Sequence, residues 1–136
     1  MTRGLRNCNP GNIRRSKVRY LGEVEPSRDA EFKQFVSLGW GYRALFVVLH
    51  TYRVRHGLRD IASMIARWAP PSENATDRYV EAVVRETGIA ADRAVDTRDA
   101  EVMLPLAAAI SRVENGVEAD AEALRAGWAL YEQYPV

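Results

Sequence analysis

The sequence predicts a mostly α domain of α+β class, helical over most of its length with a small β-hairpin near the N-terminus. Three observations lead there. Residues up to about 36 are rich in Gly, Pro, Asn and Ser and show no helical period. From Ser37 onward, apolar residues recur at three- and four-residue spacing. Gly57, Pro70-Pro71, Gly88 and Gly116 then divide that part into separate helical segments.

In chain order, Ile13 to Leu21 and Glu31 to Val36 are the candidate strands, with Gly22 and Pro26 punctuating the turn between them. Leu38, Tyr42, Leu45, Phe46, Leu49 and Tyr52 then share one helical face, and Arg53, Arg55 and His56 suit the carboxyl end before Gly57. This is the expected central core helix. A shorter helix, Leu58 to Trp68, offers Ile61, Met64, Ile65 and Trp68 and stops at the proline pair. The next begins near Thr76, turns Tyr79, Val80, Val83 and Val84 inward and ends at Gly88. Thr97 reads as a cap, and Pro105, ill-suited to a helix interior, places the start of the following continuous helix around Leu104. Asp120 caps a last helix, Ala121 to Gln133, burying Leu124, Trp128 and Tyr131.

With 136 residues and 47% hydrophobic content, the chain can bury one core and is too short for two ordinary domains, so a single domain over 1–136 is expected. The net charge of +1 supplies no general field toward nucleic acid or acidic lipid. Charge is unevenly placed. Arg3, Arg6, Arg14, Arg15, Lys17 and Arg19 make the front basic, and the carboxyl-terminal part is mostly acidic. That basic segment meets either a polyanion or the chain's own acidic helix. The single cysteine, Cys8, excludes an internal disulfide, and His50 and His56 lack zinc spacing, so neither metal nor cofactor is expected. The opening MTRGLRNCNPGNIRR has no secretory apolar core, and no segment has the roughly 18 to 20 apolar residues of a membrane span. Synthesis in the cytoplasm is expected, with a virion or the cell wall reached by another route.

The stretch LPLAAAISRVENG, Leu104 to Gly116, carries the strongest chemical signal. It is an apolar helix that delivers one carboxyl group, Glu114, to a glycine-sealed end. Unpaired carbonyls at a helix C-terminus carry partial negative charge and favour the protonated form of a neighbouring carboxyl, as a general acid requires. The plainer reading is a solvated Glu before an Asn-Gly stop.

LPLAAAISRVENGVEADAEALRAGW resembles the first conserved block of lysozyme-like lytic transglycosylases, where an apolar helix ends in a catalytic Glu followed by Ser-Gly. Here Asn115 stands where that family usually has Ser. A second resemblance is to flagellar and cell-wall glucosaminidases. Asn7-Cys8-Asn9-Pro10-Gly11-Asn12-Ile13 is similar to their Asn-Asn-x-x-Gly-Ile stretch, and WAPPSENATDRY, Trp68 to Tyr79, is similar to their Tyr-Ala-Thr-Asp-x-x-Tyr motif. In this chain both precede the Glu helix rather than follow it, which implies a circularly permuted lysozyme-like fold. RGLRNCNPGNIRRS and RWAPPSENATDRY also resemble a group of phage and prophage virion or peptidoglycan-degrading proteins, over roughly residues 3 to 86.

The resemblances imply cleavage of the peptidoglycan glycan by a glycosidase or lytic transglycosylase, with Glu114 as acid and base. In the transglycosylases the substrate's own 6-hydroxyl closes on the anomeric carbon, so one Glu suffices. Hydrolysis needs a second carboxylate. The hairpin acids Glu23, Glu25 and Asp29 are candidates, with a solvated turn as their plainer reading. Glu73, in the proline-stiffened loop, is another, although Glu73 and Asn74 equally suit a helix start. Tyr79 either packs beneath Glu114 or binds an N-acetyl group, and is otherwise core. Trp40, Trp68 and Trp128 offer faces for sugar stacking, against a packing role for Trp68 and Trp128. Asn7, Asn9 and Asn12 offer amides to substrate, while Asn-Pro-Gly is equally a turn.

The expected partners are peptidoglycan glycan strands and other virion proteins, with no nucleic acid and a monomeric chain. The alternative function is a non-catalytic virion structural or cell-wall-binding protein of the same fold. Nucleic-acid binding through the basic front, which would weaken steeply with salt, is a third class.

Overall fold

The computed structural model describes residues 1–71 and 75–136, and is mostly helical with a two-stranded antiparallel hairpin near the N-terminus. Its elements are α1 (Arg3–Arg6), β1 (Glu23–Val24), β2 (Gln34–Phe35), α2 (Leu38–His56), α3 (Ile61–Trp68), α4 (Thr76–Thr87), α5 (Ala100–Asn115) and α6 (Ala121–Gln133).

Helix α2 begins and ends where expected. The Ser37 hydroxyl accepts from the Trp40 amide, and Gly57 closes the helix in the left-handed conformation. Its first three turns are buried nearly all round, which makes it the centre of the molecule. Leu45, Phe46 and Leu49 pack with Met103, Leu106 and Ile110 of α5 and with Trp128 and Tyr131 of α6 in one core. The Phe46 ring meets Trp128 edge-on at 5.1 Å.

Two helix starts differ from expectation. Helix α3 begins at Ile61, not Leu58, because Asp60 and Ser63 form a reciprocal cap while the Arg59 carbonyl pairs with the Val95 amide. Helix α5 begins at Ala100 under an Asp99 cap and runs straight through Pro105. An interior proline costs about 3 kcal/mol. Burial of Val102, Met103, Leu106, Ala107, Ala109 and Ile110 offsets that cost. Thr97 is no cap: its hydroxyl meets His50 and its carbonyl accepts from the Tyr131 hydroxyl.

The hairpin is shorter than its sequence suggests and shifted. Glu23 pairs with Phe35 and Val24 with Gln34, so the first strand lies in the expected turn. Ile13 to Leu21 contributes only a single bridge, Arg14 to Phe32, with backbone bonds from Arg15 and Ile13 to that edge. The cause is Lys33. Its buried ammonium takes the carbonyls of Ser16 and Val18 and both oxygens of Glu23, so residues 16–20 wrap around a charge instead of extending a ladder.

The segment 7–13 lies against the first turn of α2. A Cβ on Gly41 would stand 2.0 Å from the Cys8 carbonyl oxygen. Gly41→Ala is therefore expected to destabilise by about 1–3 kcal/mol, although Ala in a helix is ordinarily favoured over Gly by about 1 kcal/mol. Urea unfolding checks the sign.

Candidate functional site

Two adjacent residues in the last turn of α5 divide the work of the site. Asn115 turns inward, where its amide donates to the carbonyls of Pro10 and Ser111 at 2.9 Å each and accepts from the Thr2 hydroxyl at 2.7 Å. Those bonds fasten the N-terminal segment to the helix end. The Asn that departs from the transglycosylase pattern thus has a definite task. The packing leaves no space beside it, since a Cβ on Gly4 would lie 2.7 Å from the side-chain oxygens of both Asn115 and Asn12.

Glu114 is held at both oxygens. Asn12 Nδ2 donates to Oε1 at 2.9 Å, and the Tyr79 hydroxyl donates to Oε2 at 2.8 Å. Burial pushes the Tyr79 phenol far up, and the neighbouring Glu114 charge and hydrogen bond add to it, so Tyr79 remains a protonated donor. Asn12 adopts the left-handed conformation with φ 51°, which Asn tolerates better than most residues and which aims its amide at Glu114.

Asn12 is aimed by its neighbours. The Asn9 side chain, fully buried, donates to the carbonyls of Ile13 and Lys33 and accepts from the Ile13 amide. Asn7 donates to Asp29, and its carbonyl accepts from the Phe35 amide. Asp29 is a clamp. Arg3 above all, then the Glu31 amide and the Asn7 amide, hold its carboxyl well below the usual carboxylate range. A carboxyl depressed in the folded state contributes stability that is present above the unfolded value, about 3.9, and is lost as pH falls below it. The melting temperature of the wild type is expected to fall more steeply than that of Asp29→Asn between about pH 5 and pH 2. Thermal melts across that range check it.

Glu114 and Asn12 open onto a cleft of about 670 Å³ between the N-terminal segment and the end of α3. Trp68 forms part of its wall, with the indole so close to Gly11 that a Cβ there would lie 2.8 Å from the ring. Of the residues singled out from the sequence, Glu114, Asn12, Tyr79 and Trp68 are brought together. Asn7 spends its amide on the Asp29 carboxylate, and Asn9 spends its own on the carbonyls of Ile13 and Lys33. Glu25 lies apart, half-exposed beside Arg19 at 3.3 Å, and borders a separate small depression. Glu23 is buried on Lys33. Trp128 packs in the core, and Trp40 packs over Gly22, in the turn just before β1. Glu73 and Asn74 lie outside the described residues.

The cleft residues that the sequence reading did not single out as a sugar site include Tyr20, Tyr52 and Arg67. Tyr52 continues the apolar stripe of α2, so its period signals core, yet it lies where the helix emerges from the core and faces the cleft. Arg67 stacks over it with Cζ 5.4 Å from the ring centre.

No family model matches the chain. Over 90 residues it is 43% identical to Protein P5 of the Pseudoalteromonas phage PM2, a match that covers 64% of this chain and 56% of that protein. The chain is thus related to a phage protein. Among the described residues, no helix is long and apolar enough to cross a membrane.

Proposed function

We propose that this protein cleaves the glycan backbone of peptidoglycan as a lysozyme-like lytic transglycosylase, with Glu114 as acid and then base. The observation that carries the reading is the double anchoring of Glu114 at a cleft by Asn12 and Tyr79, residues from the two segments that resemble glucosaminidase motifs. Asn12 and Glu114 are 102 positions apart in the chain. Their meeting is what a permuted lysozyme-like arrangement requires. The likeness to a phage protein fits an enzyme that opens a bacterial wall.

Tyr79 is buried and holds Oε2, while Oε1 is held by Asn12, which lines the cleft together with Glu114. Protonated Glu114 gives its proton to the leaving glycosidic oxygen as the C–O bond breaks and an oxocarbenium-like centre forms. The resulting carboxylate takes the proton of the sugar's 6-hydroxyl as that oxygen closes on the anomeric carbon, giving an anhydro end. Among the described residues lining the cleft, Glu114 is the one carboxylate, which favours this single-acid route over two-carboxylate hydrolysis.

The test compares wild type with Glu114→Gln on insoluble peptidoglycan, reading soluble fragments and the mass of their ends. Release by wild type alone, with anhydro ends, supports the proposal. Reducing ends move it to hydrolysis, and no release by folded wild type leaves a non-catalytic wall-binding or virion protein. Tyr79→Phe is expected to keep the fold and lower turnover about tenfold, since it removes one hydrogen bond to the acid. Steady-state fragment release with a parallel melt checks both parts.

A further inference from the structure

Apart from Glu114, the charged residues among the described lining of the cleft are Arg14 and Arg67, so the surface that receives the glycan carries more positive than negative charge. Both oxygens of Glu114 are engaged by uncharged donors. Arg14 lies 3.7 Å from Glu31. Arg67 is different in setting. It is exposed on the last turn of α3, next to Trp68, with its guanidinium over the face of Tyr52. The guanidinium also hydrogen-bonds the Tyr52 hydroxyl, and its five N–H donors exceed what that single contact uses, so it can still meet a carboxylate. Tyr52 is partly buried against the core, and burial pushes its phenol up to about 12.

A neutral glycan of N-acetylated sugars brings only uncharged acceptors to that guanidinium. A glycan whose sugars bear carboxylates brings charged ones.

Resting on the proposed activity, we infer that Arg67, braced by Tyr52, binds a carboxylate carried by the glycan and makes the cleft selective for acidic over neutral sugar chains. The carboxylate has two sources of the same chemistry, the lactyl group of the sugar itself or the peptide attached to it. The aromatic walls at Trp68 and Tyr52 suit the apolar faces of the sugar ring beside it.

The test measures binding by titration calorimetry in the Glu114→Gln protein, with wild-type cleavage of whole peptidoglycan assayed separately. Three ligands of equal sugar length are compared: a peptide-bearing muroglycan fragment, the same fragment with peptide removed to leave lactyl carboxylates, and a chito-oligosaccharide. Carboxylate-bearing fragments are expected to bind about tenfold more tightly than the neutral chain. Adding Arg67→Gln should erase that preference, and Arg67→Lys should restore part of it. Preference for the peptide-free fragment assigns the lactyl group, and preference for the peptide-bearing one alone assigns the peptide. Equal binding of all three ligands, binding of none, or a preference untouched by Arg67→Gln overturns the inference. If wild type still releases fragments in those cases, the proposed activity stands without it. If wild type releases none, both fall.

Discussion

Glu114→Gln is expected to lower glycan cleavage by about 10²–10⁴-fold, the usual contribution of a positioned general acid, while leaving the fold intact. The substitution is isosteric, and its surroundings can accept it. Gln keeps one carbonyl oxygen to accept a hydrogen bond. The Tyr79 hydroxyl can rotate to accept from the new amide, and the Asn12 amide can turn over to present its oxygen. What Gln cannot do is give a proton to the leaving oxygen. A melting temperature within a few degrees of wild type, with fragment release lost, isolates chemistry from folding. Equal release by both proteins would remove Glu114 from the reaction and direct attention to Glu73, which lies outside the described residues. Loss of release together with loss of fold would instead make Glu114 a structural tie between α4, α5 and the N-terminal segment.

The elements were legible where one physical signal dominated. Ser37 and Gly57 bracket a long apolar period, and Asp120 opens another, so α2 and α6 have the limits their sequences suggest. Glu114 followed by Asn115 and Gly116 marks its own helix end in the same way, because Gly116 adopts the left-handed conformation that closes α5. Local rules failed where tertiary packing outweighed them. Pro105 argued for a break, and burial on both sides carried the helix through it. Thr97 looked like a cap and became a buried bridge between His50 and Tyr131. The site was legible one residue at a time but not as an assembly. Nothing in the pattern around Asn12 distinguishes it from Asn7 and Asn9, since all three are polar residues in one turn-rich run. Only the fold gives Asn7 to Asp29, Asn9 to the backbone and Asn12 to Glu114. Arg67 escaped notice for a related reason: a charged residue at a helix end reads as solvated, and its meeting with Tyr52 joins two different helices.

Glu23→Gln is expected to destabilise the protein by about 3–5 kcal/mol, because removing one partner of a buried pair strands the other charge. Lys33 and Glu23 are 1% and 5% exposed, with Nζ 3.0 Å from each carboxylate oxygen. A glutamine keeps an acceptor for the ammonium but not its neutralising charge. The remaining partners, the carbonyls of Val18 at 2.7 Å and Ser16 at 3.3 Å, are dipoles. Such a loss is a large share of the 5–15 kcal/mol that holds a domain of this size. The double variant Glu23→Gln with Lys33→Met should recover part of the loss, since it leaves no stranded charge and fills the space with an apolar chain of similar length. The pair also bears on function. It shapes residues 16–20, which bring Ser16 and Tyr20 to the cleft wall, and Lys33 sits 5.6 Å from the Tyr20 ring centre. Glu23→Gln at a temperature where it remains folded is therefore expected to raise KM for glycan more than it lowers kcat, because Glu114, Asn12 and Tyr79 are bound to one another and not to this loop. Urea unfolding reads the first effect, and steady-state release of fragments reads the second. A stability loss below about 1 kcal/mol would place Lys33 and Glu23 among pairs that water screens, against their burial.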